Sequence, residues 1–131
     1  MTSFAHLVAE FNRKILNIEQ RPHGLLSTHE IDISLKCLHE ELNEFAHATE
    51  QGDFIGQIDA LIDLQYFATG VMYKLGLTPE EINKCCEAVH HANMQKKLGV
   101  LTKRGDGSAA DAVKPDGWVS PEERIGIILG E

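Results

Sequence analysis

A chain of 131 residues with 43% hydrophobic and 24% charged side chains can bury a core as one domain, and its composition is that of a globular fold. No apolar run approaches the length that crosses a bilayer, and a net charge of −8 argues against a nucleic-acid backbone as partner. The charge is uneven: residues 1–95 hold 14 acids against 6 bases, whereas residues 96–131 hold 6 of each. The acidic body is therefore followed by a tail in which Lys96, Lys97, Lys103, Arg104 and Lys114 gather.

Helical signals run through the chain in order. The first helix is expected over about 3–18, with Phe4, Leu7, Val8, Phe11, Ile15 and Leu16 along one stripe. Pro22 and Gly24 break it. Ser27-x-x-Glu30 is a capping-box pattern that opens a helix over 28–50, which Gly52 stops. The third helix, 54–75, is apolar nearly all round and so expected to be buried; it ends before Gly76. Thr78, Pro79 and Glu81 open a fourth, 79–97. A tail over 98–131 carries "KPDGW" and a short last helix begun by "SPEER". No stretch reads as a strand, and the expected fold is all-α, a four-helix bundle in a single domain. Cys37, Cys85 and Cys86 are odd in number and form no C-x-x-C pair. Together with an N-terminus that lacks the pattern of a secretory signal, they suit a reducing cytoplasm.

The acids of the second and third helices carry the functional signal. At 100° per residue, Glu40, Glu41 and Glu44 fit one arc beside the apolar stripe of Leu38, Leu42 and Phe45. A solvated acidic face usually places Lys or Arg four residues on; here those positions hold Glu44, Phe45 and Ala48. Asp59 and Asp63 share one face of the third helix with no base in that segment. Buried unpaired carboxylates tend to take up protons or be neutralised by a partner. Hydrogen bonds to neighbouring helices would serve, and so would a divalent cation; hard oxygen ligands suit Mg²⁺ or Mn²⁺.

At these residues the chain resembles the all-α nucleoside triphosphate pyrophosphohydrolases of the MazG type. The family's Glu-Glu-x-x-Glu motif stands here as Glu40-Glu41-x-x-Glu44. Its Glu-x-x-Asp motif is altered: Asp63 matches, the position three before is Ala60, and the acid lies four before, at Asp59. Asn93 and Lys96 resemble the family's Asn-x-x-Lys segment, and Lys114, Pro115, Trp118 and Pro121 its closing Lys-Pro…Trp…Pro pattern. The resemblance implies hydrolysis of a nucleoside triphosphate between the α and β phosphates, and assembly as a homodimer or homotetramer. It implies Glu41, Glu44, Asp59 and Asp63 as ligands of Mg²⁺, with Glu40 orienting or deprotonating a water. Asn93, Lys96, Lys97 and Lys114, with Arg104 as a further candidate, would meet phosphate or sugar, and Trp118 would either pack or stack on a base.

Two rivals stand beside this reading. Glu44-x-x-His47 and Glu87-x-x-His90 match the Glu-x-x-His pairs of di-iron bundles, with Glu10 and Asp63 on the other helices. A non-catalytic helical interaction domain is the other. A His-Glu-x-x-His zinc protease is excluded, because Asn43 stands where the second histidine belongs.

Overall fold

The computed structural model describes residues 2–99 and 111–131, so Lys103 and Arg104 lie outside the described residues. The described chain is all-α in its main elements: α1 Phe4–Lys14, α2 Thr28–Glu50, α3 Phe54–Lys74, α4 Pro79–Met94 and α5 Glu122–Leu129. Two short strands, β1 Lys97–Gly99 and β2 Asp111–Val113, precede α5. The chain divides into two compact units, Met1–Ile82 and Asn83–Glu131. The first holds α1, α2, α3 and the opening turn of α4; the second holds the rest of α4, the strands and α5.

In the first unit α3 packs on both α2 and α1. The turn at Gln51–Asp53 folds α3 back along α2. Gly52 takes the left-handed φ of +64° that the turn needs, and the Asp53 side chain accepts from Gly56 N at 2.9 Å to cap the new helix. Small residues set the helix approach: Ala5, Ala9, Ala48 and Ala60 are buried, and Val8 is fully so. α3 is not buried all round, as its apolar sequence predicts. Ile58, Leu61, Ile62 and Phe67 remain 41–48% exposed, because only one side of α3 meets other helices of the unit.

α1 ends at Lys14 rather than near residue 18. Asn17 turns left-handed at φ +58°, and Ile18 N donates back to Asn12 O at 2.9 Å. Of the stripe expected on α1, Val8 alone is buried, while Phe4 and Phe11 meet the Tyr66 ring edge-on at 5.8 and 5.5 Å. The connector then crosses the end of α3. Tyr73 Oη donates to Ile18 O (2.7 Å), Gln20 Nε2 to Gly76 O (3.0 Å) and Gly24 N to Leu75 O (3.0 Å). The approach is so close that a Cβ on Gly76 would strike the Pro22 carbonyl.

The two capping patterns fold differently. At Thr78 the box is complete: Glu81 N donates to Thr78 Oγ1 (3.1 Å), and Thr78 N to Glu81 Oε1 (3.0 Å). At Ser27 the glutamate has a second partner. Ser27 Oγ accepts from Glu30 N (3.2 Å), and the Glu30 carboxylate, which also lies 3.4 Å from Ser27 Oγ, is shared with Arg21 at 2.9 Å.

In the second unit α4 stops at Met94, three residues short of expectation. Lys97 instead joins an antiparallel ladder, opposite Val113. Three-residue strands show too little alternation to be read from sequence. Ala88, Ala92 and Cys85 are buried on α4, and Trp118 Nε1 donates to Ala92 O at 2.7 Å, tying the tail to the helix. Ser120 Oγ accepts from Glu122 N (3.4 Å) to start α5, and left-handed Gly130 ends it.

Candidate functional site

The α2–α3 hairpin places Glu41 and Glu44, one turn apart, against Asp63. One carboxylate oxygen from each lies within 4.8 Å of the others. Glu41 and Asp63 are half-buried and Glu44 is exposed. Like charges gathered this way need a reason, and none of the ion pairs among the described residues involves them. Glu41 Oε2 is buried and has no hydrogen-bond partner. Its carboxyl is pushed up to about 7, first by burial, then by a hydrogen bond with the Glu44 carboxyl, then by the charges of Glu44, Asp63 and Asp59. Asp63 is raised as well, by burial first and then by Asp59 and Glu44.

An orphaned buried oxygen among three carboxylates is what a divalent cation would satisfy. The donor set is all oxygen, which fits Mg²⁺ or Mn²⁺ and not a softer metal. Among the described residues of the first unit no histidine joins the cluster, and His47 on α2 is not drawn into it. Glu10 of the di-iron alternative is exposed and pairs with Lys14 at 3.7 Å.

The structure separates residues that the sequence groups. Asp59 is exposed and outside the trio, although its charge reaches Glu41 and Asp63. With Glu44, His47 and Asp53 it lines a cavity of about 420 Å³. The shift from three to four residues before Asp63 and the shorter side chain account for this, since Ala60 takes the inward position and is buried. Glu40 is exposed and also outside the trio.

A second cavity was not legible in the sequence. About 310 Å³ in volume and mostly apolar, it is walled by Phe11, Leu16, Ile33, Phe67 and Val71, and Asp63 of the trio closes one side. Two buried polar side chains face it, Asn12 on α1 and Ser34 on α2. The one signal for it is Asn12 itself, a polar residue in the Val8–Leu16 row of the apolar stripe.

In the second unit, Lys96 and Lys114 place their Nζ 5.2 and 4.9 Å from the centre of the Trp118 ring. The indole is held by its N–H bond to Ala92 O, so this residue packs and at the same time carries two cations. Asn93 is exposed on α4, and Lys97 is exposed on β1. A cavity of about 580 Å³ beside Trp118 is lined by His91, Arg124 and Ile127 among others, and contains none of the carboxylate trio.

The profile of the phosphoribosyl-ATP pyrophosphohydrolase family matches residues 8–93. No curated protein matches the chain. The matched span takes in α2, α3 and the whole trio, and leaves Lys96, Lys97, Lys114 and Trp118 beyond its end. With about two thirds of its length in that match, this chain belongs to the phosphoribosyl-ATP pyrophosphohydrolase family, all-α hydrolases that release pyrophosphate from a nucleotide.

Proposed function

We propose that this protein is a Mg²⁺-dependent nucleoside triphosphate pyrophosphohydrolase of the MazG type, cleaving its substrate between the α and β phosphates to give a monophosphate and pyrophosphate. The observation that carries the reading is the trio Glu41, Glu44 and Asp63 with its orphaned Glu41 oxygen. These three residues, with Asp59 at the edge, would hold Mg²⁺, or Mn²⁺ in its place. A bound divalent cation supplies positive charge to phosphate oxygens and makes water a better nucleophile. Glu40, next to Glu41 but turned outward, would orient the attacking water and accept its proton. Lys96, Lys97, Lys114 and Asn93 are the chain's own candidates for phosphate or sugar, with Trp118 as the platform that holds two of the lysines. The apolar cavity that shares Asp63 would take the base.

Phosphoribosyl-ATP is the second substrate to consider, favoured by the family match. It is a triphosphate too, so the same site and the same cut would serve. A homodimer or homotetramer is part of the proposal, supported by the exposed apolar residues of α3. The cytoplasm is proposed as the compartment, on the cysteines, none of which forms a disulfide. Among the described residues no helix is long and apolar enough to cross a membrane.

The test is a panel of ribo- and deoxyribonucleoside triphosphates plus phosphoribosyl-ATP, incubated with Mg²⁺ and with EDTA, and scored by chromatography. Monophosphate and pyrophosphate in equal amounts, with Mg²⁺ alone, is the expected result. Diphosphate and orthophosphate would place the cut elsewhere, and no turnover of any member would end the reading.

A further inference from the structure

The mostly apolar cavity of the first unit runs along one face of α3. Asp63, Tyr66, Phe67, Gly70, Val71 and Lys74 all line it, at the spacing that puts residues on one side of a helix. From Asp63 to Lys74 the helix advances about 16 Å. Among the described residues these two alone are charged in the cavity wall, and they stand at opposite ends of the row. The Asp63 end carries the carboxylate trio. The Lys74 end carries a half-buried cation. None of the ion pairs among the described residues involves Lys74, and Arg21, whose Nη1 donates to Lys74 O at 3.5 Å, is itself paired with Glu30. A lysine in the last turn of α3 suits the helix dipole, but that role asks only for a side chain in water. An ammonium partly withdrawn from water, on a mostly apolar wall, calls for an anion.

We propose that Lys74 is a specificity-determining residue that selects nucleotides carrying a second anionic group on the base, remote from the triphosphate. The proposal rests on the pyrophosphohydrolase reading above. With its phosphates on metal at the trio, a nucleotide lying along α3 presents the far edge of its base toward Lys74. A neutral base leaves that ammonium without a counterion. A negative group there makes a charge-assisted contact, about twice as strong as a neutral hydrogen bond. Two sources supply this chemistry: a phosphate attached to the base through a sugar, as in phosphoribosyl-ATP, and a ring that is itself ionised near neutral pH, as xanthine is.

The experiment has two arms on the full chain. The first measures kcat/KM with Mg²⁺ for two pairs, phosphoribosyl-ATP with ATP and XTP with ITP. At least one anionic member should exceed its neutral partner by about 10- to 100-fold. A preference in the first pair alone identifies an appended phosphate, and in the second alone an ionised ring. Lys74→Met should collapse the ratio toward one, chiefly by raising KM for the anionic member, and Lys74→Arg, which keeps the charge, should retain most of it. The second arm needs neither metal nor turnover. Cys37 lines the same cavity and is half-buried, whereas Cys86 is exposed and serves as the internal control. Phosphoribosyl-AMP is set against AMP, and xanthosine against inosine, in EDTA. The anionic member of the pair favoured in the first arm should slow alkylation of Cys37 but not of Cys86, and Lys74→Met should abolish the difference. Equal rates within both pairs, turnover confined to nucleotides without a second anion, or a Lys74→Met enzyme that keeps the ratio or loses all four nucleotides alike would overturn this proposal and leave the proposed activity standing. Failure of these four and of the wider nucleoside triphosphate panel to yield pyrophosphate would instead remove the activity beneath it.

Discussion

At the scale of single residues, Glu41 is the group most at odds with its surroundings. Its carboxyl is held up to about 7 by burial and by its acidic neighbours, against 4.5 for the ordinary group. An unfolded chain would ionise it near 4.5, so between about 4.5 and 7 the folded protein retains a proton that the unfolded one has lost. Without metal, then, stability should fall as pH rises through that window, and level off above it. Melting curves in EDTA at pH 5 and pH 8 check this, and Mg²⁺ at pH 8 should reverse the loss by binding only the folded site. Glu41→Gln should be at least as stable as the wild type at pH 8 in EDTA; a clear drop would make the carboxylate structural. The same residue separates ligand from base. Glu41→Gln should weaken Mg²⁺ half-saturation and turnover together. Glu40→Gln should lower kcat by about 10²–10⁴-fold and leave metal half-saturation nearly unchanged. Near-normal turnover of Glu40→Gln would reduce it to a bystander.

At the scale of elements, the hairpin of α2 and α3 makes the site, and the junction after α3 holds the first unit together. Gly76 sits at φ +100° with the Pro22 carbonyl where a Cβ would be. Gly76→Ala should therefore destabilise by about 1–3 kcal/mol, read from urea midpoints, since both strain and collision oppose it. Thr78→Ala removes the hydroxyl half of a complete capping box and should cost about 1 kcal/mol. The corresponding Ser27→Ala removes the hydroxyl that accepts from Glu30 N, in the more exposed setting, so its effect should be no larger.

For the whole molecule, the first unit leaves much of its apolar surface uncovered. Phe54 and Ile55 are 69% and 71% exposed, and Ile58, Leu61, Ile62 and Phe67 continue along α3. A stable monomer rarely presents so large an apolar patch. Light scattering should give a mass at least twice the 14.5 kDa of the chain, and Ile62→Asp should lower it. A monomer at micromolar concentration would show that α3 is covered in some other way, or not at all.

What the sequence determined by itself was local. Apolar periodicity, the Ser, Thr and Asp caps, and the glycines at 52 and 76 place the main helices within a few residues, because each signal acts over one turn of chain. Helical spacing grouped Glu40, Glu41 and Glu44 on α2 and Asp59 and Asp63 on α3 for the same reason; that Glu41, Glu44 and Asp63 are the ones that meet depends on how the two helices pack. The end of α1, the β1–β2 ladder and the exposure of Asp59 were not, since each depends on contacts between residues far apart in the chain. The left-handed turn at Asn17 is anchored by Tyr73, 55 positions from the Ile18 carbonyl it binds. Which of the residues three and four before Asp63 points inward was decided by how α3 packs on α2: Ala60 is buried there and Asp59 is exposed. The apolar cavity exists in no single helix. It arises where α1, α2 and α3 fail to fill the space between them, and tertiary packing alone sets that volume.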